Sequence, residues 1–223
     1  MQSFFNKRLL KIGLLIIASF CVKHSFPQLF GESQKQVFKA PGYEDSLAKH
    51  KTVAILPFNA TISYKRVPKG FDANGNKADE QKLRVIMQQG MYTYLLQKSD
   101  KFAVSFQDVE RTNILLKQAR IFDSLEYVLP DSLAKILHVD GIIKCSYAYE
   151  KTGTEAGAIA KTLLFGAGGK TGSGALVMQI YHGFSGELMW RFYKEMNEGI
   201  MSNANEVMER MMKKVARNFP YAK

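Results

Sequence analysis

From Lys51 the chain reads KTVAILPFNAT, in which Val53, Ala54, Ile55, Leu56 and Phe58 form a nearly unbroken apolar stretch. A run so short and apolar at both alternating sets predicts a strand covered on both faces, a central strand with helices against it. Pro57 has no N–H to give a neighbouring strand, so it marks the strand's end or a bulge. The next stretch, ISYKRVPKGFDANGNKAD, is polar and turn-rich and reads as a short strand or loop. From Asp79 the period lengthens: Leu83, Ile86, Met87, Gly90, Tyr94 and Leu95 recur every three or four residues, which predicts an amphipathic helix. Asp79 and Glu80 suit its positive N-terminus. Lys101 to Phe106 then reads as a short strand, QDVERTNILLKQAR as a helix, and DSLAKILHV as a third helix capped by Asp131.

Three alternating segments follow. In GIIKCSYAYE, Ile143, Cys145, Tyr147 and Tyr149 share one face. Leu176, Met178 and Ile180 do so in ALVMQIYHG, and Leu188, Trp190 and Phe192 in ELMWRFYKE. The glycine-bearing link GFSGE predicts that the last two pair as an antiparallel hairpin. The chain closes on SNANEVMERMMKKVARNFP, where Asn203 and Glu206 resemble a capping box, Val207, Met211, Val215 and Phe219 form the buried stripe, and Pro220 stops the helix. By contrast, residues 28–50 are polar, carry Gly31, Pro41 and Gly42, show neither period and read as a linker.

The N-terminus follows another logic. In MQSFFNKRLLKIGLLIIASFCVKHSFP, residues 1–27, Lys7, Arg8 and Lys11 precede the charge-free apolar run from Ile12 to Val22. That is the layout of an export signal, and the run is too short to cross a bilayer. Ser19 and Cys21 have the small-residue spacing of a cleavage site. Cys21 also offers a lipid-attachment reading, although lipoprotein boxes want Gly or Ala before the cysteine and Leu two places earlier, where this chain has Phe20 and Ala18. Removing the segment takes away four cations, lowers the net charge from +11 to +7 and leaves Cys145 as the sole cysteine. No intramolecular disulfide can then form, whatever the compartment. The remaining basic excess favours solubility and anionic surfaces such as lipid headgroups or cell-wall polymers.

Several stretches approach chemical motifs and miss. GGKT, residues 168–171, sits in TLLFGAGGKTGSG, but a phosphate-binding loop needs a glycine where Leu164 stands and a helix where an alternating strand begins. HGFSGE has Gly183 and Ser185 of a hydrolase elbow, yet Glu187 takes the second glycine's place and the turn joins two strands. FDANGNKADEQKL places oxygens like a calcium loop, but has Lys77 and Leu83 where glycine and glutamate are required. His24, His50, His138 and His182 are scattered without metal-ligand spacing. No catalytic residue, cofactor or metal is expected, and Cys145 reads as a buried small hydrophobe.

Three blocks together, VAILPFNAT, SLAKILHVDGIIKCSYAY and ALVMQIYHGFSGELMWRFYKE with the helix after it, resemble the CsgG-like group of bacterial envelope proteins. Its relatives include the curli secretion channel subunit, the LpoB-type activators of cell-wall synthases and the N-terminal domain of TolB. The group's pattern runs Leu-Pro-Phe, then Gly-Val-Asp-Ala-Val-Ile, then Asp-x-x-Thr-Gly-Glu-Val-Leu-Trp. This chain departs from it at His138 for Gly, Gly141 for Ala and His182 for Asp.

The resemblance implies a single α/β domain over residues 51–219, with a mixed sheet, a C-terminal antiparallel hairpin, helices packed on it and a tail at 220–223. It also implies a periplasmic location, on or near the outer membrane. The expected role is non-enzymatic: an assembly, secretion or cell-wall accessory factor working through other envelope proteins or copies of itself, with neither nucleic acid nor small-molecule substrate. The Gly-rich crossover, with Leu163, Leu164 and Phe165 at its centre, either folds as a short helix over the sheet or exposes an apolar patch to a partner or membrane. Competing readings are an oligomeric secretion channel, whose alternating membrane strands the crossover does not supply, and an enzyme using Ser185 or Lys170.

Overall fold

Val53 to Leu56 lie wholly out of solvent, with alternate side chains entering two different apolar layers. The computed structural model describes residues 35–151, 172–196 and 204–223, which all fall within one compact unit. In chain order these form β1 (Lys35–Lys39), α1 (Tyr43–Leu47), β2 (Thr52–Ile55), β3 (Asn59–Tyr64), α2 (Ala73–Leu96), β4 (Ser105–Phe106), α3 (Val109–Gln118), α4 (Pro130–Leu137), β5 (Gly141–Lys151), β6 (Gly172–His182), β7 (Leu188–Met196) and α5 (Ala204–Val215). The mixed sheet runs β1-β7-β6-β5-β2-β4, and β3 also pairs with β5. Strands β2, β3 and β4 lie parallel to their neighbours, while β5, β6, β7 and β1 are antiparallel.

Both strands flanking Pro57 pair with β5, so they are one strand interrupted. Ile55 faces Ile143 and Asn59 faces Ser146, which leaves one extra residue on the proline side. That is the bulge expected where a residue without an N–H stands in a strand.

Helices cover both faces of β2. On one, Ile55, Cys145, Tyr147, Met178, Trp190 and Phe192 pack beneath α2 and α5. On the other, Ala54, Leu56 and Ile142 meet Leu116 of α3 and Leu133, Ala134 and Leu137 of α4. The methionines of α5, Met208, Met211 and Met212, are fully buried, as befits flexible side chains fitting a helix to a twisted sheet.

Four expectations need correction. The stretch read as a linker joins the fold from Lys35: KQVFK pairs with β7, and Tyr43–Leu47 is helical. The tail is docked, since Tyr221 is buried and Ala222 bridges Phe102. Helix α2 starts at Ala73, not Asp79, because Asp72 accepts the N–H of Asn74 at 3.0 Å as its cap. The calcium-like stretch is therefore the first turns of a helix, and its Asn76 and Glu80 tie down Ile62 of β3. Asp131 does not cap α4; Leu129 holds that position and Pro130 opens the helix.

Candidate functional site

Strands β5 and β6 define two ends of the sheet, with Gly141 opposite His182 at one and Lys151 opposite Gly172 at the other. At about 3.3 Å per residue the ends stand roughly 35 Å apart. The connection carrying Leu163, Leu164 and Phe165, together with Lys170, leaves from the second end and lies outside the described residues, as does Cys21. The helix expected over that crossover, and the GGKT turn, fall outside them too.

The first end gathers residues that the sequence scatters. His50 ends the turn after α1, and its ring lies 5.1 Å from that of His182 at the end of β6. On its other side, His50 Nδ1 and the Tyr221 hydroxyl share a hydrogen bond of 2.7 Å. This packing needs a bare backbone at Gly141, where a Cβ would lie 2.6 Å from His50 Nδ1 and 3.0 Å from the Tyr221 oxygen. Gly183 is equally constrained, since its Cβ would sit 2.6 Å from the carbonyl oxygen of Asp140. Asp140 accepts the N–H groups of Lys51 and Thr52 at 2.8 and 2.9 Å, clamping the entry to β2 onto the entry to β5.

His138 ends α4 in the left-handed region, at φ 55°. His138, Gly141 and His182, three of the positions at which the chain departs from the pattern it resembles, lie at this end of the sheet. His138 and His182, with Lys49, Lys135, Asp140 and Phe184, border a depression of about 520 Å³.

Electrostatics make His50 a structural group. Burial, and secondarily His182, push its pKa down to about 4, against the pull of Asp140. The imidazole is therefore neutral near pH 7, and its Nε2 has no hydrogen-bond partner among the described residues. At Asp140 burial opposes ionisation, but the amides of Thr52 and Lys51, helped by His50 and the Lys51 charge, outweigh it and hold the carboxyl below its ordinary range. Burial pushes the Tyr221 hydroxyl upward. Neither His50 nor Tyr221 is poised for proton transfer near pH 7.

Ser185 occupies the tip of the β6–β7 hairpin, as the sequence suggests. Its hydroxyl donates to Glu187 Oε2 at 3.0 Å and accepts the Glu187 N–H at 3.3 Å. Its own N–H donates to His182 Nδ1 at 3.2 Å. The hydroxyl proton therefore points at a carboxylate, and the imidazole nitrogen 3.4 Å away already accepts an amide. This network shapes a turn, whereas an activated serine hands its proton to the histidine.

Sequence reasoning missed the apolar rim. Phe184 at the hairpin tip is 87% exposed, and Tyr127 and Leu129, on the approach to α4, are 83% and 68% exposed. Gly186 of the same hairpin lies against the first turn of α4, at Asp131, which brings the approach and the tip to one side of the molecule. The signal was available as a lone Phe in a glycine-bearing turn.

No protein-family model and no curated protein matches the chain. Solved structures of similar outline include lipoprotein GNA1162 from Neisseria meningitidis, 12% identical, with a TM-score of 0.42, covering 75% of this chain and 98% of that one. A PelC dodecamer from Paraburkholderia phytofirmans is 13% identical over 86% of this chain and 99% of that one, with a TM-score of 0.37. The LpoB C-terminal domain from Escherichia coli is 8% identical over 70% and 93%, with a TM-score of 0.34. Every score is below 0.5, so neither a role nor a residue passes from these proteins to this chain.

Proposed function

We propose that the chain is an exported, non-enzymatic envelope protein that serves as an assembly, secretion or cell-wall accessory factor by holding other proteins. The observation that carries this reading is the hairpin end of the sheet. There an exposed aromatic tip, Phe184, borders a depression whose buried ionisable groups are held in structural bonds, and the same hairpin's Gly186 lies against the first turn of α4, which follows exposed Leu129. Large exposed apolar side chains on a hairpin tip and at a helix start are the material of a protein-binding hot spot. The export-like N-terminus and the three blocks resembling CsgG-like proteins support the envelope assignment. Leu163, Leu164 and Phe165 are proposed as a second contact segment, for a partner or membrane, reached from the opposite end of the sheet.

A cross-linking pull-down of the full chain from native envelopes tests the reading. Partners captured by the wild type should be lost with Phe184→Ala combined with Leu129→Ser, and kept with Ser185→Ala and Lys170→Ala. An activity abolished by Ser185→Ala or Lys170→Ala, with the partner set unchanged by the rim substitutions, would establish an enzyme instead.

A further inference from the structure

The loop between β3 and α2, residues 65–71, reads KRVPKGF. Lys65, Arg66 and Lys69 are cationic, none of its residues is acidic, and Val67, Pro68 and Phe71 are apolar. All but Pro68 are exposed, Val67 at 69% and Phe71 at 39%. Among the described residues no carboxylate forms an ion pair with Lys65, Arg66 or Lys69. The acids that follow along the chain serve the fold instead: Asp72 caps α2, Asp79 faces Lys82, and Glu80 accepts the N–H of Ile62.

The loop is held in one shape. The Lys65 N–H donates to the carbonyl of Lys151 at 2.7 Å, and the Phe71 N–H closes a turn on the carbonyl of Pro68 at 3.3 Å. Gly70, at φ 76°, supplies the left-handed third position of that turn. The Phe71 ring stands edge-on to Tyr64 with 5.3 Å between centroids, and the Tyr64 hydroxyl donates to Asn76 of α2 at 3.1 Å. None of these contacts uses the Val67 side chain or the three cationic groups, so the fold does not explain their presence.

An exposed valine set between cations fits one kind of surface. Where phosphates lie above hydrocarbon, the cations meet the anions while the apolar side chain enters the layer beneath. A protein partner fits less well, because a stable interface takes roughly 20–30 residues a side and this turn offers a fraction of that. A free anion would engage the cations and leave Val67 in water. Because the turn is already formed, contact costs little further ordering.

We infer that the β3–α2 loop is a contact element for an anionic phospholipid surface, with Lys65, Arg66 and Lys69 at the headgroup phosphates and Val67 inserted below them. The inference goes beyond the partner contacts proposed at the hairpin end and does not rest on them. Tyr64, where the loop begins, pairs with Lys151 at one end of β5, whereas His182, before the hairpin tip, pairs with Gly141 at the other.

A local fluorescence readout on the full chain tests it. The one native tryptophan, Trp190, is wholly out of solvent, so Val67→Trp reports on the loop. On phosphatidylethanolamine–phosphatidylglycerol vesicles with brominated acyl chains, that variant should lose most of its added emission, whereas Leu129→Trp at the hairpin end should keep it. Adding Lys65→Glu and Lys69→Glu should lower the loop's partition, read from quenching across lipid concentrations, by roughly thirtyfold, given the usual contribution of each basic residue near such a surface. The matched pair Lys49→Glu and Lys135→Glu, at the opposite end, should leave it unchanged. The N-terminal segment is common to every variant and cancels between them, and urea midpoints equal to the wild type verify folding. No quenching at position 67, equal quenching at 129, or equal partition of the two charge pairs would overturn the proposal. So would inorganic phosphate restoring the emission at matched ionic strength, which means a free-anion site, or a protein cross-linked in cells to a photoreactive analogue at position 67. Absent quenching with an intact partner set in the pull-down removes this inference alone; the reverse result removes the adaptor reading alone.

Discussion

His50 and Tyr221, 171 residues apart in sequence, share a 2.7 Å hydrogen bond over the bare backbone of Gly141. This contact pins the C-terminal residues to the start of β5, and so turns an apparent tail into part of the fold. Gly141→Ala should destabilise the protein by about 1–3 kcal/mol, because the new methyl group displaces the His50 ring. Tyr221→Phe should remove about 1–2 kcal/mol by leaving a buried imidazole nitrogen unpaired. Urea unfolding midpoints of the two variants check both values.

The same pair sets a pH dependence. His50 titrates near 4 when folded and near 6.5 when unfolded, so between these values the unfolded chain binds more protons. Stability from this group is fully present above pH 6.5 and is lost as pH falls towards 4. Allowing for partial solvent screening, the loss amounts to about 1–2 kcal/mol. Asp140, whose carboxyl is held below its ordinary range, adds a separate loss at still lower pH. In a pH series of unfolding midpoints, His50→Gln should flatten the segment between 6.5 and 4 and leave the lower one.

His138 holds a left-handed backbone at the end of α4 without a glycine's freedom. His138→Gly should raise stability by about 1 kcal/mol. A thermal melt decides it, and an unchanged or lower midpoint would mean that the imidazole contributes contacts of its own at the depression.

Cys145 is wholly enclosed by the core, and burial pushes its thiol well above the ordinary range. Ellman's reagent should label it only on unfolding, at a rate that follows global opening. Fast labelling at Cys145 itself in the native protein would contradict the packing of β5 beneath α2 and α5.

Much of the sheet is legible because its signals are local. Val53–Leu56 lacks alternation because helices cover both its faces, and Leu176, Met178 and Ile180 alternate because only one face of β6 is sealed. The α5 stripe of Val207, Met211 and Val215 is equally plain. Strand β1 is not legible: all five residues are exposed, and the partner that makes them a strand lies at Lys194, far along the chain. The start of α2 hides because Asn74, Gly75 and Asn76 have turn-like composition, and only the Asp72 cap commits them to helix. The site hides most completely. His50, Asp140, His182 and Tyr221 come from four separate segments, and no periodicity encodes a meeting of that kind.

The proposed contact at the β6–β7 hairpin tip can be read out residue by residue. Placing a photo-cross-linking phenylalanine analogue at position 184 in living cells tests it directly, with the analogue at exposed Val67 on the β3–α2 loop as a control. A discrete cross-linked product with a second protein is expected from position 184, and none from position 67. No product at 184, together with loss of cellular function on Ser185→Ala, would contradict it.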